Sequence, residues 1–409
     1  MANESLIVGN SNWAVKANNL LGYAVGETSG YYVPRELNFT RNSTATYTDE
    51  NGIIQTAAAN IARVQDNALL LEPQRTNLLT YSEQFDNAAY ILDGNGVGQS
   101  VTDNYAISPD GTQNADRLQL NKTGGTYSRI YQNASSGANT YALTVYMKSN
   151  TSASQNVGLR LDTTGINCVV TTSWQRFTLN ATVSTPQAQI LLFDSITGND
   201  ETADISVWGF QLEAGSYATS YINTLSAAVT RGQDVCSKTG ISSLIGQTEG
   251  VLFIDINITK LTDNEAIGTI NSGGYASNTT FQRLGNTIQF VRNSATQSGA
   301  SVETQIIAIG RHKMAIAYKS GDTAFYLDGS QVSTTQTQTF TNGTLSVLNL
   351  GTDAIGALPI TESYNEVILF PTRLTNSEIA IMTGNQNYTI NLAYAAYGVA
   401  SESPNCVQP

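Results

Sequence analysis

Apolar residues recur at every second position through much of this chain, a period that admits strands and excludes amphipathic helices over the same stretches. In residues 140–148, Tyr141, Leu143, Val145 and Met147 share one face, while Ala142, Thr144, Tyr146 and Lys148 take the other. Val157, Leu159 and Leu161 repeat the pattern, as do Phe177, Leu179, Ala181 and Val183, and residues 204–211 read as another strand. Later, Leu252, Ile254, Ile256 and Ile258 alternate, and so do His312, Met314, Ile316 and Tyr318. Turn residues separate these runs at Asp93-Gly94, Ser108-Pro109-Asp110-Gly111, Gly124-Gly125 and Ser135-Ser136-Gly137. Asp328-Gly329 between two alternating runs predicts a two-residue hairpin, because both residues tolerate positive φ. The expected fold is all-β: an extended N-terminal arm, then two β-sandwich (jelly-roll) domains, with one short helix near the C-terminus. That helix is capped by Thr375 or Asn376 and runs through Met382.

A length of 409 residues suits two or three domains. Residues 1–78 hold few periodic apolar positions. They read as an anchoring arm that packs on the next domain, a sister chain or a larger assembly. The alanines of residues 55–64 allow a short helix there. Residues 79–224 form the first sandwich, 225–247 a linker, 248–386 the second sandwich. Residues 387–409, with Tyr388, Tyr394 and Tyr397, form a docking tail.

Only 13% of residues are charged, and the formal net charge is −12. No basic stripe is present, so neither nucleic acid nor an anionic membrane surface is an expected partner. No apolar run reaches the length of a membrane span. Cys168, Cys236 and Cys406 are far apart and odd in number, with no zinc spacing, and read as unpaired thiols. The start MANESLIVGN lacks the basic and apolar regions of a signal peptide, so synthesis in a cytoplasm is expected.

The chain has one histidine, His312, which removes multi-histidine metal sites; its place on a strand face gives it a structural reading. No GxSxG, GxxxxGK[ST] or HExxH motif occurs, and the glycines of 94–98 read as a β-loop. Two carboxylates could still hydrolyse a glycosidic bond, but nothing singles out a pair among 32 acids. A non-enzyme is expected.

Three stretches carry a resemblance. Phe39–Tyr90 (FTRNSTATYTDENGIIQTAAANIARVQDNALLLEPQRTNLLTYSEQFDNAAY) resembles a segment of tail, fibre and other appendage proteins of tailed bacteriophages. That segment usually closes on Trp where Tyr90 stands, and is longer where Gln65–Ala68 is short. SPDGTQNADRL (Ser108–Leu118) with WGFQLEAGSYATSYINT (Trp208–Thr224) resembles the carbohydrate-binding-module-like jelly roll of phage tail proteins. HKMAIAYKSGDTAFYLDGSQV (His312–Val332) with EVILFPTRLTNSEIAIM (Glu366–Met382) is similar to the laminin-G/concanavalin-A-like lectin sandwich.

The resemblance implies a virion structural protein, made in the bacterial host cytoplasm and released by lysis. It would be a fibre-type appendage, homo-oligomeric, bound to other virion proteins through its arm and to host-surface glycan through its sandwiches. The alternative is an architectural head-decoration, neck or tail-adaptor protein that binds only virion proteins; a capsule depolymerase is a third reading. Tyrosines able to stack on sugar rings are Tyr127, Tyr131 and Tyr146 in the first sandwich and Tyr275 in a loop of the second. No cofactor is expected beyond a structural Ca²⁺ that jelly rolls of this resemblance often hold, here with Glu83, Asp86 and Glu213 as oxygen ligands.

Overall fold

Alternation builds the first sandwich as expected. In the computed structural model, residues 4–9, 13–16, 19–25, 32–96, 98–293, 301–341 and 343–384 are described. One five-stranded sheet runs, in spatial order, Ile91–Gly94, Tyr127–Asn133, Gln187–Phe193, Gln155–Leu161 and Thr164–Val170. The other runs Ser100–Ala106, Ala115–Asn121, Thr202–Ala214, Asn139–Ser149 and Gln175–Val183. Neighbouring strands are antiparallel, and the chain switches repeatedly from sheet to sheet, a jelly-roll route. Tyr141, Leu143, Val145 and Met147 meet Val157, Leu159, Leu161, Ile190 and Leu192 in one core between the sheets. Cys168 is buried there; Cys236 lies in the second core, and burial pushes both thiols up to about 12.

The second sandwich is larger because it recruits the N-terminus. One layer carries Ser330–Gln336, Thr323–Leu327, Gly310–Lys319, Glu249–Ile258 and Glu362–Phe370. The facing layer carries Ser301–Ile306, Thr287–Asn293, Asn278–Leu284, Asn264–Asn271, Val347–Leu350 and Val235–Thr239. The segment read from sequence as an arm is built into these layers. Leu6–Gly9 pairs with Glu362–Phe370, Tyr32–Thr40 pairs with Val235–Thr239, and Asn19–Val25 pairs with both N-terminal strands, closing the layers on one side. Leu6, Val8, Leu37, Phe39, Leu69 and Leu71 are buried beside Ile254 and Leu350. Among the described side chains, Leu6–Gly9, Tyr32–Thr40 and Ala68–Leu71 each place only two in this core, too few for a local period to betray them.

The linker is also structured: Val229–Arg231 pairs with Arg75–Asn77, besides the pairing of Val235–Thr239. The tail expected at 387–409, with its tyrosines and Cys406, lies outside the described residues.

Local chemistry explains further details. Asp328 and Gly329 take φ of 49° and 83°, making the expected two-residue turn. His312 ties that turn to its strand, with Nδ1 2.6 Å from Asp328 Oδ2 and Nε2 3.0 Å from the Ala308 carbonyl. Thr375 caps the helix Asn376–Thr383 in a capping box with Glu378. Ile379 and Met382 of this helix cover Val251 and Phe253, so Glu249–Ile258 is buried on both faces rather than on one. Among the alanines, Ile54–Ala57 is a strand paired with Ala45–Thr48, not a helix. The Arg41 guanidinium takes the Ala58 and Ile61 carbonyls at 2.8 and 3.0 Å, acceptors a helix through this segment would use itself.

Where the two sandwiches meet, five charges are buried together. Arg41 donates to Asp234 at 3.0 Å, Arg63 to both Asp234 and Glu72 (2.6 Å to the latter), and Arg231 to Glu72. Ser220, at the end of the jelly roll, donates its amide and hydroxyl to Glu72, each at 2.7 Å. Burial alone would raise the Glu72 carboxyl, but Arg231 and Arg63 hold it at about 2. Removing one partner leaves buried charge uncompensated, which costs about 3–5 kcal/mol. Glu72→Gln is expected to lose about that much in urea unfolding; a loss below about 1 kcal/mol would show that the cluster does not hold the junction.

A second buried group works in the opposite sense. Burial and the nearby Glu265 push Glu362 up to about 7. Its folded value exceeds its unfolded one, so its contribution is full below about pH 4.5 and lost as pH rises to 7. Burial likewise raises Glu366 to about 7 and Asp116 to about 6, with the same sign. The protein is therefore expected to melt at a lower temperature at pH 8 than at pH 5. Glu362→Gln should raise the pH 8 value while changing the pH 5 value little; equal effects at both pH values would contradict this.

Candidate functional site

A strand that buries one face must show the other. In Tyr127–Asn133, Ser128, Ile130 and Gln132 point inward, and Tyr127, Arg129 and Tyr131 point out. On the neighbouring strand Ala188, Ile190 and Leu192 enter the core, leaving Gln187, Gln189, Leu191 and Phe193 on the outer face. Register then sets the rows. Tyr131 stands opposite Gln189, and Gln189 opposite Arg160; Tyr127 stands opposite Phe193.

These side chains form a ladder of rings and guanidiniums. The Arg160 guanidinium lies 4.9 Å from the Phe193 ring centre, and Phe193 meets Tyr127 edge-on at 6.4 Å. Arg129 lies 5.4 Å from the Tyr127 ring and 4.4 Å from the Tyr131 ring. Each such contact is worth roughly 0.5–1 kcal/mol at a solvent-facing site. Arg129 is further fixed by Asp93 at 3.0 Å and by Gln187 and Gln189, both at 3.3 Å. The result is a rigid, half-exposed surface of aromatic rings and guanidiniums, braced from beneath by the buried Gln189.

Loop 194–200 bounds this surface on one side. Gly158 and Gly165 lack the Cβ atoms that would stand 2.9 Å from Ile196 Cδ1, so Ile196 lies flat on the sheet. Asn199 anchors the loop, accepting from the Phe193 amide at 3.0 Å and donating to Asn167 at 2.7 Å.

The structure thus joins Tyr127 and Tyr131 and separates the other two tyrosines. Tyr146 is on the opposite sheet, edge-on to Trp208 at 5.5 Å, beneath Arg176, in a cleft of about 330 Å³ at the junction. Tyr275 is in the second sandwich and donates its hydroxyl to Asp353, a bond that pushes it up to about 12. A cleft of about 530 Å³ lined by Ser242, Gln247, Phe340 and Thr344 contains none of the four.

The carboxylates expected around Ca²⁺ stand in three different surroundings. Glu83 accepts from Tyr221, Asn223 and Asn114, Asp86 is exposed, and Glu213 is buried and accepts from Thr219. Among the described residues no three His, Cys, Asp or Glu side chains gather in a metal-binding group. Nor is any helix among them long and apolar enough to cross a membrane.

Sequence reasoning missed Arg129, Arg160, Gln189 and Phe193. The parity of Tyr127, Arg129 and Tyr131 was a local signal for the first. The other three reach the site through strand register alone.

No family model and no curated protein matches this chain. Solved structures give weak likenesses. The IT-sialidase CBM40 of Ruminococcus gnavus bound to alpha2,3 sialyllactose is 12% identical, covering 36% of this chain and 91% of that one, with a TM-score of 0.31. Domain 4 of AbnA, a GH43 extracellular arabinanase of Geobacillus stearothermophilus in complex with arabinotriose, is 14% identical, covering 41% and 83%, with a TM-score of 0.31. The binding domain of botulinum neurotoxin serotype D is 13% identical, covering 36% and 40%, with a TM-score of 0.30. At such scores nothing about the ligands of this chain follows from them.

Gly158→Ala tests the wall of the site. The added methyl would meet Ile196, Leu191 and Asn199 at 2.9–3.1 Å. A loss of about 1–3 kcal/mol is expected, with faster hydrogen exchange confined to loop 194–200. Unchanged exchange in that loop would show that Ile196 does not depend on the bare glycine.

Proposed function

We propose that this chain is a non-enzymatic bacteriophage virion protein that contacts host-surface glycan through the outer face of its first sandwich. The ladder of Tyr131, Arg129, Tyr127 and Phe193 carries the reading. Rings held half-exposed on a rigid sheet offer flat apolar faces for sugar rings, and the guanidiniums beside them offer donors for hydroxyls. Single contacts of this kind are weak, so strength would come from many copies on one particle.

The virion context rests on the resemblance of Phe39–Tyr90 and Trp208–Thr224 to phage appendage segments. Their arrangement supports treating them as one unit. Thr46 donates to the Tyr221 carbonyl at 2.6 Å, and Asn77 donates to the Ile222 carbonyl at 2.9 Å. Synthesis in the host cytoplasm with release by lysis belongs to the same reading.

An architectural role is the second reading. Ser301–Ile306 pairs on one side only among the described residues, and Ile306 and Ile309 stand 69% and 64% exposed beside that open edge. Such an edge suits a neighbouring protein chain.

A glycan array probed with the intact chain separates the two. Binding to bacterial surface polysaccharide, weakened about tenfold by Tyr131→Ala in a protein that melts like the parent, is expected for loss of one stacking contact. Absence of binding across the array by folded protein would overturn the glycan reading in favour of the architectural one.

A further inference from the structure

The two arginines on the outer face are not equivalent. Arg129 is neutralised by Asp93 at 3.0 Å and braced by two glutamines. Arg160 has no ion-pair or hydrogen-bond partner for its guanidinium among the described residues, only the Phe193 ring beneath it. Asp162, in the adjoining turn, acts on it through space without pairing. Burial and the neighbouring Arg129 both lower its pKa, so the bare cation sits in surroundings that an anion would improve. This is unusual placement on a chain of net charge −12, where acidic groups are plentiful.

Position gives the free cation a role. Arg160 shares a row with Tyr131 and Gln189, one strand further across the sheet at each step. Its guanidinium leans along the strands to the Phe193 ring, 4.9 Å from the ring centre, and Phe193 stands opposite Tyr127, so the charge lies toward the Tyr127 end of the ladder. Gly165, next in that row, has no side chain, and its place is taken by the Ile196 wall. A ring stacked at Tyr127 would therefore direct a substituent across Phe193 toward Arg160, with the loop alongside.

The geometry points to a carboxylated saccharide, of the uronic-acid or similar acidic-sugar class, as the ligand of this face, with Arg160 as the residue that reads the carboxylate. This rests on the glycan reading of the face and adds its chemical class. A guanidinium meets a carboxylate in a planar two-bond arrangement that an amide or hydroxyl cannot reproduce. The bulk field of the protein opposes any polyanion, so a preference for acid over neutral sugar must come from local pairing.

The test compares polysaccharides containing uronic acids, namely polygalacturonate, alginate and hyaluronate, with their methyl esters, using the intact chain. The esters keep the sugar skeleton and remove the charge. For at least one pair the acid should bind about tenfold more tightly than the ester at low salt, the scale of one charge-assisted contact. The advantage should shrink as salt rises. Arg160→Gln should abolish the difference, weakening acid binding about tenfold and ester binding much less, and Arg160→Lys should restore only part of it. Equal binding of acid and ester, or a Gln variant that weakens both alike, overturns the acidic-ligand inference and leaves the glycan face standing. Failure of every acid and ester to bind, together with silence on the glycan array, overturns both.

Discussion

The structure depends on a small cluster of buried charge. Two carboxylates, Glu72 and Asp234, are shared by Arg41, Arg63 and Arg231 at the seam between the sandwiches. No hydrophobic contact could specify that seam as narrowly, because apolar surfaces slide and re-pack whereas a guanidinium and a carboxylate satisfy each other in few geometries. The partners come from the N-terminal segment and the linker, and Ser220 brings in the end of the jelly roll. A second seam contact lies beside it, where Lys260 rests 3.9 Å from the Tyr217 ring centre and Thr361 donates to the Tyr217 hydroxyl at 3.0 Å. Residues 39–90 and 208–224 thus converge on one structural task, holding two sandwiches in register.

With the seam fixed, each sandwich commits one face to the core and can spare another. In the first, the inward residues of Tyr127–Asn133 and Gln187–Phe193 close the core, and the outward residues make the ring-and-guanidinium ladder. In the second, the outer face of Glu249–Ile258 is covered by the helix Asn376–Thr383 and is not spare. That asymmetry is why the candidate site belongs to the first sandwich although both are β-sandwiches.

Much of this was legible in the sequence, for reasons that can be named. Tyr141, Leu143, Val145 and Met147 revealed a strand and its buried face because strand periodicity is local. Asp328-Gly329 and Thr375 were legible because turns and caps are chosen by backbone geometry within a few residues. Tyr127 and Tyr131 were named only as tyrosines able to stack on sugar; their shared parity on Tyr127–Asn133 is what joins them. The N-terminal strands were misread as an arm because the partner of Leu6–Gly9 lies more than 350 residues away, and pairing over that distance leaves no local trace. Arg160 was invisible for the same reason: its neighbours Gln189 and Tyr131 are set by register, not by spacing. Tyr146 and Tyr275 looked equivalent to the other two in sequence, but Trp208 and Asp353 hold them elsewhere.

The central claim is that the outer face of the first sandwich is where sugar is held. An experimental structure of the intact chain with a bound oligosaccharide tests it most directly. A sugar ring over Tyr131 or Tyr127, with loop 194–200 alongside, is the expected result. A saccharide seated instead in the cleft of Ser242, Gln247 and Phe340, or in the seam beside Tyr146, would contradict it.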